Sequence, residues 1–433
     1  NGNPENSETK KAKDEMDELD DLHISQFVEE SGTSSSDSDS DESVTDGFDG
    51  PQGDHHHKTE ETKQSQLDPQ ALEPLPADVV FPRNCVVQDM QQHQNGTVQI
   101  MCSMAENIGV RDNMEDKPVA RMNIPINNNT GALHMFATFD GHGGDGASKQ
   151  LQLNLHNVLA KQPDLSDTTL ESAVTRAFHI MDWRLLTAAG KTLSDKRKSK
   201  TKSLMRTRRK AANEDNHLSG ATAAVVVVVQ DDVSKVNAST SLLVAWAGDS
   251  RVVLSTKGGV AVDLSEDHKA TRPDEKKRVQ MAGGSVSSNG RVGGDLAVSR
   301  AFGDIMHKGG TNGDEFLQLI SSTEEKDAGK LQEGPLICTP DLCRRTIDKE
   351  DEFLVIASDG VWDVMTSQES VLYVRRYLAL NGGDVDKCAK AIVKQALLLG
   401  SVDNVSAVIV VLNQEEKVPD APEDGARLEV PGE

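Results

Sequence analysis

Large apolar residues recur at intervals of three and four through Leu170, Ala173, Val174, Ala177, Phe178, Met181 and Leu185, the spacing of one buried helical face. A helix is predicted before it over 145–160. Two more are predicted over 367–380 and 385–399, divided by Asn381-Gly382-Gly383, residues that end helices. Elsewhere the apolar positions form short unbroken runs: Met135–Phe139, Ala223–Val229, Leu242–Trp246, Val252–Leu254, Val260–Leu264, Phe353–Ala357 and Val405–Val411. Several are valine-rich and apolar on consecutive positions, which predicts strands covered on both faces. Trp246-Ala247-Gly248-Asp249-Ser250-Arg251 reads as a hairpin turn between two of them. Strands come in groups and helices in pairs, without the alternation of a doubly wound parallel sheet. The expected fold class is α+β, with stacked antiparallel sheets flanked by helices. Lys191–Ser219 and Ile305–Gly334 are expected as long surface loops.

Charge divides the chain into three parts. The formal net charge of the 433 residues is −24, but 81–413 carry 41 acidic against 39 basic side chains. The excess lies in 1–80, with 22 acids and 5 bases, and in 414–433, with 7 acids and 2 bases. A near-neutral globular body between two acidic tails is expected. The first tail is rich in Ser, Asp and Glu and too poor in apolar residues to offset its chain entropy, so it is expected to be disordered. Its stretch Ser34–Glu42, serines interleaved with acids, suits an acidophilic kinase. Inside the body, 191–210 hold ten Lys or Arg against one acid, Asp195. Such a block repels itself and is expected as a flexible loop, able to contact a nuclear import receptor or the acidic tail of its own chain. No aromatics are interleaved for base stacking, so nucleic acid is disfavoured as a partner. The five cysteines are odd in number and scattered, which points to a reducing compartment, cytoplasmic and/or nuclear. The longest strongly apolar run, Ala223–Val229, is far short of the ~20 residues of a membrane helix, so no membrane span is expected.

The candidate chemistry lies at strand ends. Asp140-Gly141 follows one apolar run, Asp249 another and Asp359-Gly360 a third, while Asp403-Asn404 precedes a fourth. One Asp-Gly after a strand is ordinarily a turn. Four such cases beside the pair Glu115-Asp116 suggest acids converging on a cleft, where they would repel unless cations neutralised them. Hard oxygen donors without clustered Cys or His select Mg²⁺ or Mn²⁺. Gly141 leaves room for an ion to approach the backbone carbonyl. Two ions about 3.5–4 Å apart would hold a bridging water and lower its pKa, giving a hydroxide near neutral pH. Arg111 offers a planar fork suited to phosphate oxygens, and His142 can carry a proton near neutral pH as general acid.

With these residues assembled, the sequence resembles the metal-dependent Ser/Thr protein phosphatases of type 2C. The resemblance rests on nine segments in order: Arg111–Asp116, Phe139–Gly144, Ser219–Ala223, Ala247–Arg251, Asp267–Lys269, Gly283-Gly284, Leu296–Asp304, Ala357–Asp363 and Asp403-Asn404. It covers roughly 100–412 and departs at Ala270, where the family usually has proline. It implies a four-layer αββα sandwich, with a catalytic domain over 81–413 bearing insertions near 191–218 and 305–334. It also implies Asp140 bridging two ions, the Gly141 carbonyl on one, Asp359 and Asp403 on the other, and Glu115 and Asp116 in support. Asp249 and Asp363 match positions of a weaker third ion. Arg111 would hold the substrate phosphate and His142 would protonate the departing Ser or Thr oxygen. The implied activity is hydrolysis of phosphoserine and phosphothreonine in phosphoprotein substrates, without a phosphoenzyme. The alternatives are a catalytically weak phosphoprotein-binding scaffold and a hydrolase of small phosphate esters.

Overall fold

The computed structural model describes residues 98–125, 132–166, 168–198, 216–230, 240–309 and 313–414. The acidic tail 1–80, its Ser34–Glu42 stretch, the basic residues beyond Lys198, Cys85 and the tail after Gln414 lie outside the described residues. The expected tail-to-loop contact lies there too.

Two five-stranded sheets form the centre. One has the order β1 (Val98–Asn107), β13 (Val405–Gln414), β12 (Asp351–Ala357), β8 (Arg251–Thr256) and β9 (Val260–Asp263). The other runs β11 (Asp341–Thr346), β7 (Thr240–Ala247), β6 (Ala223–Gln230), β3 (Ala132–Phe139) and β2 (Lys117–Pro125). Every pairing in both is antiparallel. A small third sheet sets β5 (Gly220–Ala221) between β10 (Phe302–Gly303) and β4 (Gly141–His142).

The unbroken apolar runs are explained by layering. Successive side chains of a strand point to opposite faces. In β12, Leu354 and Ile356 join a core between the two sheets, while Phe353, Val355 and Ala357 face an outer core. In β6, Ala224, Val226 and Val228 point inward, and Ala223, Val225 and Val227 face the other outer core. That second outer core is closed by α1 (Gly146–Ala160), through Leu151, Leu155 and Leu159, and by α2 (Leu170–Lys198), through Val174, Phe178 and Met181. On the far side, α7 (Ser367–Leu380) and α8 (Val385–Leu398) bury Val371, Val374, Leu378, Cys388 and Ile392 against β12 and β13. The layers are thus helix, sheet, sheet, helix, as expected. Thr366 starts α7 with a reciprocal capping box to Glu369, and Asp384 caps α8 through Lys387 N at 3.3 Å. No described helix is long and apolar enough to cross a membrane.

Two expected loops differ. α2 continues through Lys198, because Leu186, Ala189 and Leu193 extend its apolar face onto Ile320, Phe316 and Leu317. Ile305–Gly334 is mostly helical, holding α4 (Ile305–Lys308), α5 (Gly313–Ser322) and a 3₁₀ segment Glu325–Leu331. These pieces supply the apolar partner for the extended α2. The short α3 (Pro273–Met281) was not expected at all. It is highly polar, and buries only Glu275 and Val279.

Candidate active site

Four chain reversals at one end of the sandwich assemble the acids. Asp140 leaves β3, Asp249 sits in the turn from β7 to β8, Asp359 opens α6 (Asp359–Trp362) directly after β12, and Asp403 precedes β13. One carboxylate oxygen from each of Asp140, Asp249 and Asp359 lies within 4.8 Å of the others. Asp116, at the head of β2, is almost fully buried beside them.

The electrostatics are those of crowded like charges. Burial, and then Asp359, Asp116, Asp249 and Asp403, push the Asp140 carboxyl well above the usual carboxylate range. Burial and the neighbouring Asp249, Asp363 and Asp403 raise Asp359 to about 8. Asp116 is pushed up to about 6, chiefly by burial, against hydrogen bonds from Ser358 and Ser406 that favour its ionised form. Its Oδ2 is buried without a hydrogen-bond partner. A buried acceptor is rarely left unmet unless a ligand satisfies it. Glu115 and Asp363 are also raised, again first by burial.

Local backbone geometry explains why these acids can approach. A Cβ on Gly141 would stand 2.6 Å from the Glu115 carbonyl oxygen and 2.8 Å from Ser148 Oγ, so only glycine fits. Glu115 is fixed three ways: its N–H donates to Asn404 Oδ1 at 2.7 Å, its carbonyl accepts from Ser148 Oγ at 2.5 Å, and its Oε1 accepts from Gly144 N at 3.0 Å. Asn404 also donates to the Ile108 carbonyl at 2.8 Å, tying the loop after β1 to the start of β13. Lys269 bonds Asp249 through its ammonium, which that carboxylate keeps charged despite burial.

Arg111 and His142 flank the cluster in different ways. Arg111 Nη2 donates to Asp403 Oδ2 at 2.6 Å and its Nε to the Val402 carbonyl at 3.1 Å, placing the half-exposed guanidinium at the rim. His142 Nε2 and Asp304 Oδ2 are 2.6 Å apart. Burial lowers the imidazole's proton affinity, but the Asp304 carboxylate outweighs it and the net shift is upward. The small third sheet makes this pair. His142 pairs with Gly220, which pairs in turn with Gly303, next to Asp304. A Cβ at Gly220 would fall 2.0 Å from Asp304 Oδ2 and 2.3 Å from His142 Nε2. Asp304 itself is left-handed, at φ 50° and ψ 45°, a costly conformation for a non-glycine residue.

A buried ion pair holds that conformation. Asp182, on α2, accepts from Gly303 N at 2.8 Å and from Lys308 Nζ at 2.9 Å, both side chains being sealed from water. Lys308 Nζ also donates to the Ala301 carbonyl, and Gln332 Nε2 to Asp182 Oδ2, each at 2.8 Å. Behind Asp249, His268 accepts from Gly248 N on Nδ1 at 3.1 Å and meets Asp341 through Nε2 at 3.1 Å. Sequence reasoning assigned no role to Asp304, Gly220, Lys269, Asn404, Asp182 or Lys308. The first four fall inside the quoted motifs, whereas Asp182 and Lys308 carry no local signal.

The sequence model of the family Protein phosphatase 2C matches residues 100–405. Among curated relatives, the chain is 33% identical over 321 residues to Probable protein phosphatase 2C 59 of Oryza sativa subsp. japonica, covering 73% of this chain and 78% of the relative. It is 33% identical over 320 residues to Probable protein phosphatase 2C 69 of Arabidopsis thaliana, covering 73% and 71%. Among solved structures, a phosphatase from a pathogenic strain of Toxoplasma gondii superposes with a TM-score of 0.53 at 22% identity, over 74% of this chain and 96% of that one. A serine-threonine phosphatase 2C, also from Toxoplasma gondii, gives 0.51 at 21% identity, over 74% and 96%. The two structures share the fold; the family match and the plant relatives carry the rest, and the chain belongs to the protein phosphatase 2C family of protein serine/threonine phosphatases.

Proposed function

We propose that the chain hydrolyses phosphoserine and phosphothreonine with two divalent cations, Mg²⁺ or Mn²⁺, held by Asp140, the Gly141 carbonyl, Asp359 and Asp403, with Glu115 and Asp116 in support. The observation that carries this reading is the convergence of Asp140, Asp249 and Asp359, in which burial and the surrounding carboxylates drive Asp140 and Asp359 to hold protons at pH values where carboxylates are normally ionised. Cations would relieve that repulsion, and the orphaned Asp116 Oδ2 is an acceptor waiting for a donor or an ion's water. An all-oxygen donor set suits hard cations. Asp249 and Asp363, lying beside Asp359 and Lys269, would hold a weaker third ion.

When bound, such ions supply an activated water near neutral pH and neutralise charge on the phosphoryl oxygens. The chain's own residues do the rest. Arg111, at the rim beside Asp403, would bind two phosphate oxygens through its fork and orient the ester. His142, held and kept charged by Asp304 at Nε2, would give the proton of its other ring nitrogen, Nδ1, to the departing seryl or threonyl oxygen, a poor leaving group without one. Asp304 would hold the imidazole in place and stabilise its charged form. The described cysteines, Cys102, Cys338, Cys343 and Cys388, are all free, which supports an intracellular setting. A phosphopeptide assay tests the reading: release of phosphate should stop in EDTA and return with Mg²⁺ or Mn²⁺. Turnover indifferent to EDTA, or none in any metal, would refute it.

A further inference from the structure

Four large aliphatic side chains stand in water beside the acidic cluster. Val110 is 76% exposed, Val402 67%, Leu398 60% and Ile108 41%. They make up four of the ten large apolar residues so exposed among the described residues, and they fall in two short segments that touch. A Cβ on Gly109 would lie 2.2 Å from the Asp403 carbonyl oxygen and 3.7 Å from Leu397 Cδ2, so the loop after β1 is pressed against the loop between α8 and β13. Arg111 Nε binds the Val402 carbonyl and Asn404 Nδ2 the Ile108 carbonyl, which lock the two loops together. Through Arg111 and Asp403 this ledge is continuous with the candidate metal site.

Scattered exposed apolar residues need no explanation, but a contiguous group beside a reactive centre marks a recognition surface. The enzyme's substrates are proteins, so the polypeptide flanking the phosphorylated residue must cross this rim. We propose that the ledge of Ile108, Val110, Leu398 and Val402 is a substrate-specificity site that takes an aliphatic side chain close in sequence to the phosphoserine or phosphothreonine. This rests on the metal-dependent phosphatase reading above, which places the phosphate between Arg111 and the acids. An extended peptide advances about 3.3 Å per residue, so the anchoring side chain falls within a few positions of the phosphate.

The test walks a single leucine through an otherwise polar phosphoserine peptide, from three residues before the phosphoserine to three after. With Mn²⁺ present, kcat/KM should rise about tenfold or more at one or two adjacent positions, the effect of partly burying one aliphatic side chain. In Val110→Ser/Val402→Ser that peak should vanish, while the all-polar peptide is turned over as before. A flat profile in the unmutated enzyme, with robust hydrolysis of every peptide, overturns the ledge but leaves the phosphatase reading standing; no hydrolysis of any peptide overturns the phosphatase reading itself. Equal losses on all peptides in the double variant would show the loops merely hold Arg111 and Asp403, and would also overturn the ledge. A concentration-dependent dimer in sedimentation that the double variant abolishes would assign the surface to a second copy instead.

Discussion

Gly220→Ala probes the candidate proton donor without touching a titratable group. The new Cβ would lie 2.0 Å from Asp304 Oδ2 and 2.3 Å from His142 Nε2, where the two now approach to 2.6 Å. Ordinary contact needs roughly 3.5 Å, so one or both groups must retreat by about 1 Å or more. The backbone cannot give way, because Gly220 is clamped between His142 and Gly303 in adjacent strands. Asp304 cannot easily swing, because its left-handed backbone is pinned next to Gly303, whose N–H is held by Asp182. The His142–Asp304 bond therefore breaks. Misplacing a catalytic group by about 1 Å costs on the order of 10²-fold, within the 10²–10⁴ that general acids contribute. The expected result is a fall of about 10²-fold in kcat on a phosphoserine peptide, with much less on p-nitrophenyl phosphate, whose leaving group needs no proton. Steady-state kinetics on both substrates measure this, and a thermal shift with Mn²⁺ that matches the unmutated protein shows the acidic cluster intact. Unchanged peptide turnover, or equal losses on both substrates, would refute the role given to this pair.

The remaining predictions concern charge. In Asp359→Asn, hydrolysis and the Mn²⁺-induced thermal shift should both disappear, while the melting temperature in EDTA should rise, because a repelling carboxyl has been removed; a lower melting temperature in EDTA would contradict the account. Asp359 and Asp116 hold protons up to about 8 and about 6 in the folded chain, above the roughly 3.9 of an unperturbed aspartate. The folded state thus binds more protons than the unfolded one, and metal-free stability should decline as pH rises from about 5 to 8. Melting in EDTA at pH 5.5 and 7.5 checks the sign, and Mg²⁺ should stabilise more at pH 7.5. Lys308→Met leaves Asp182 buried and unpaired and should cost roughly 3–5 kcal/mol of stability by urea unfolding, part of which Asp182→Asn in the same chain should restore. Arg111→Ala removes a charge-assisted phosphate contact of about 1.5–3 kcal/mol, so kcat/KM should drop about 10- to 100-fold on peptide and aryl phosphate alike.

Most of the strands visible in the sequence are buried on both faces, the exposed edge strand β9 being the exception. β3, β6, β7, β12 and β13 lie inside their sheets, so consecutive positions must be apolar and the runs stand out. β1, β2 and β11 are edge strands with mixed sequences, VQIMCSMAEN, KPVARMNIP and DLCRRT. Edges meet water, and charged residues there discourage further pairing, so the apolar signal is diluted. The extension of α2 was hidden for a different reason. Its partners, Phe316, Leu317 and Ile320, belong to a helix of ten residues set between polar flanks, too short for its apolar spacing to repeat over several turns.

The same distinction divides the site. Acids at strand ends could be read locally, because each carries its own signature of an apolar run followed by Asp and a turn. What positions them could not, since those bonds join residues far apart in sequence: His142 with Asp304, Glu115 with Asn404, Asp182 with Lys308. The first of these links nonetheless left two traces, residues that a simple turn does not require. Gly220 lies in a buried strand, where glycine is unfavourable unless something approaches closely, and here two polar side chains meet over it. Asp304 follows Gly303 at a backbone bend that strains a non-glycine residue, which is tolerated because its carboxylate has to reach His142. A residue that local propensity disfavours thus points to the partner that requires it. By that criterion Gly109, pressed against Asp403 at φ +62°, marks the seam on which Val110 and Val402 are displayed.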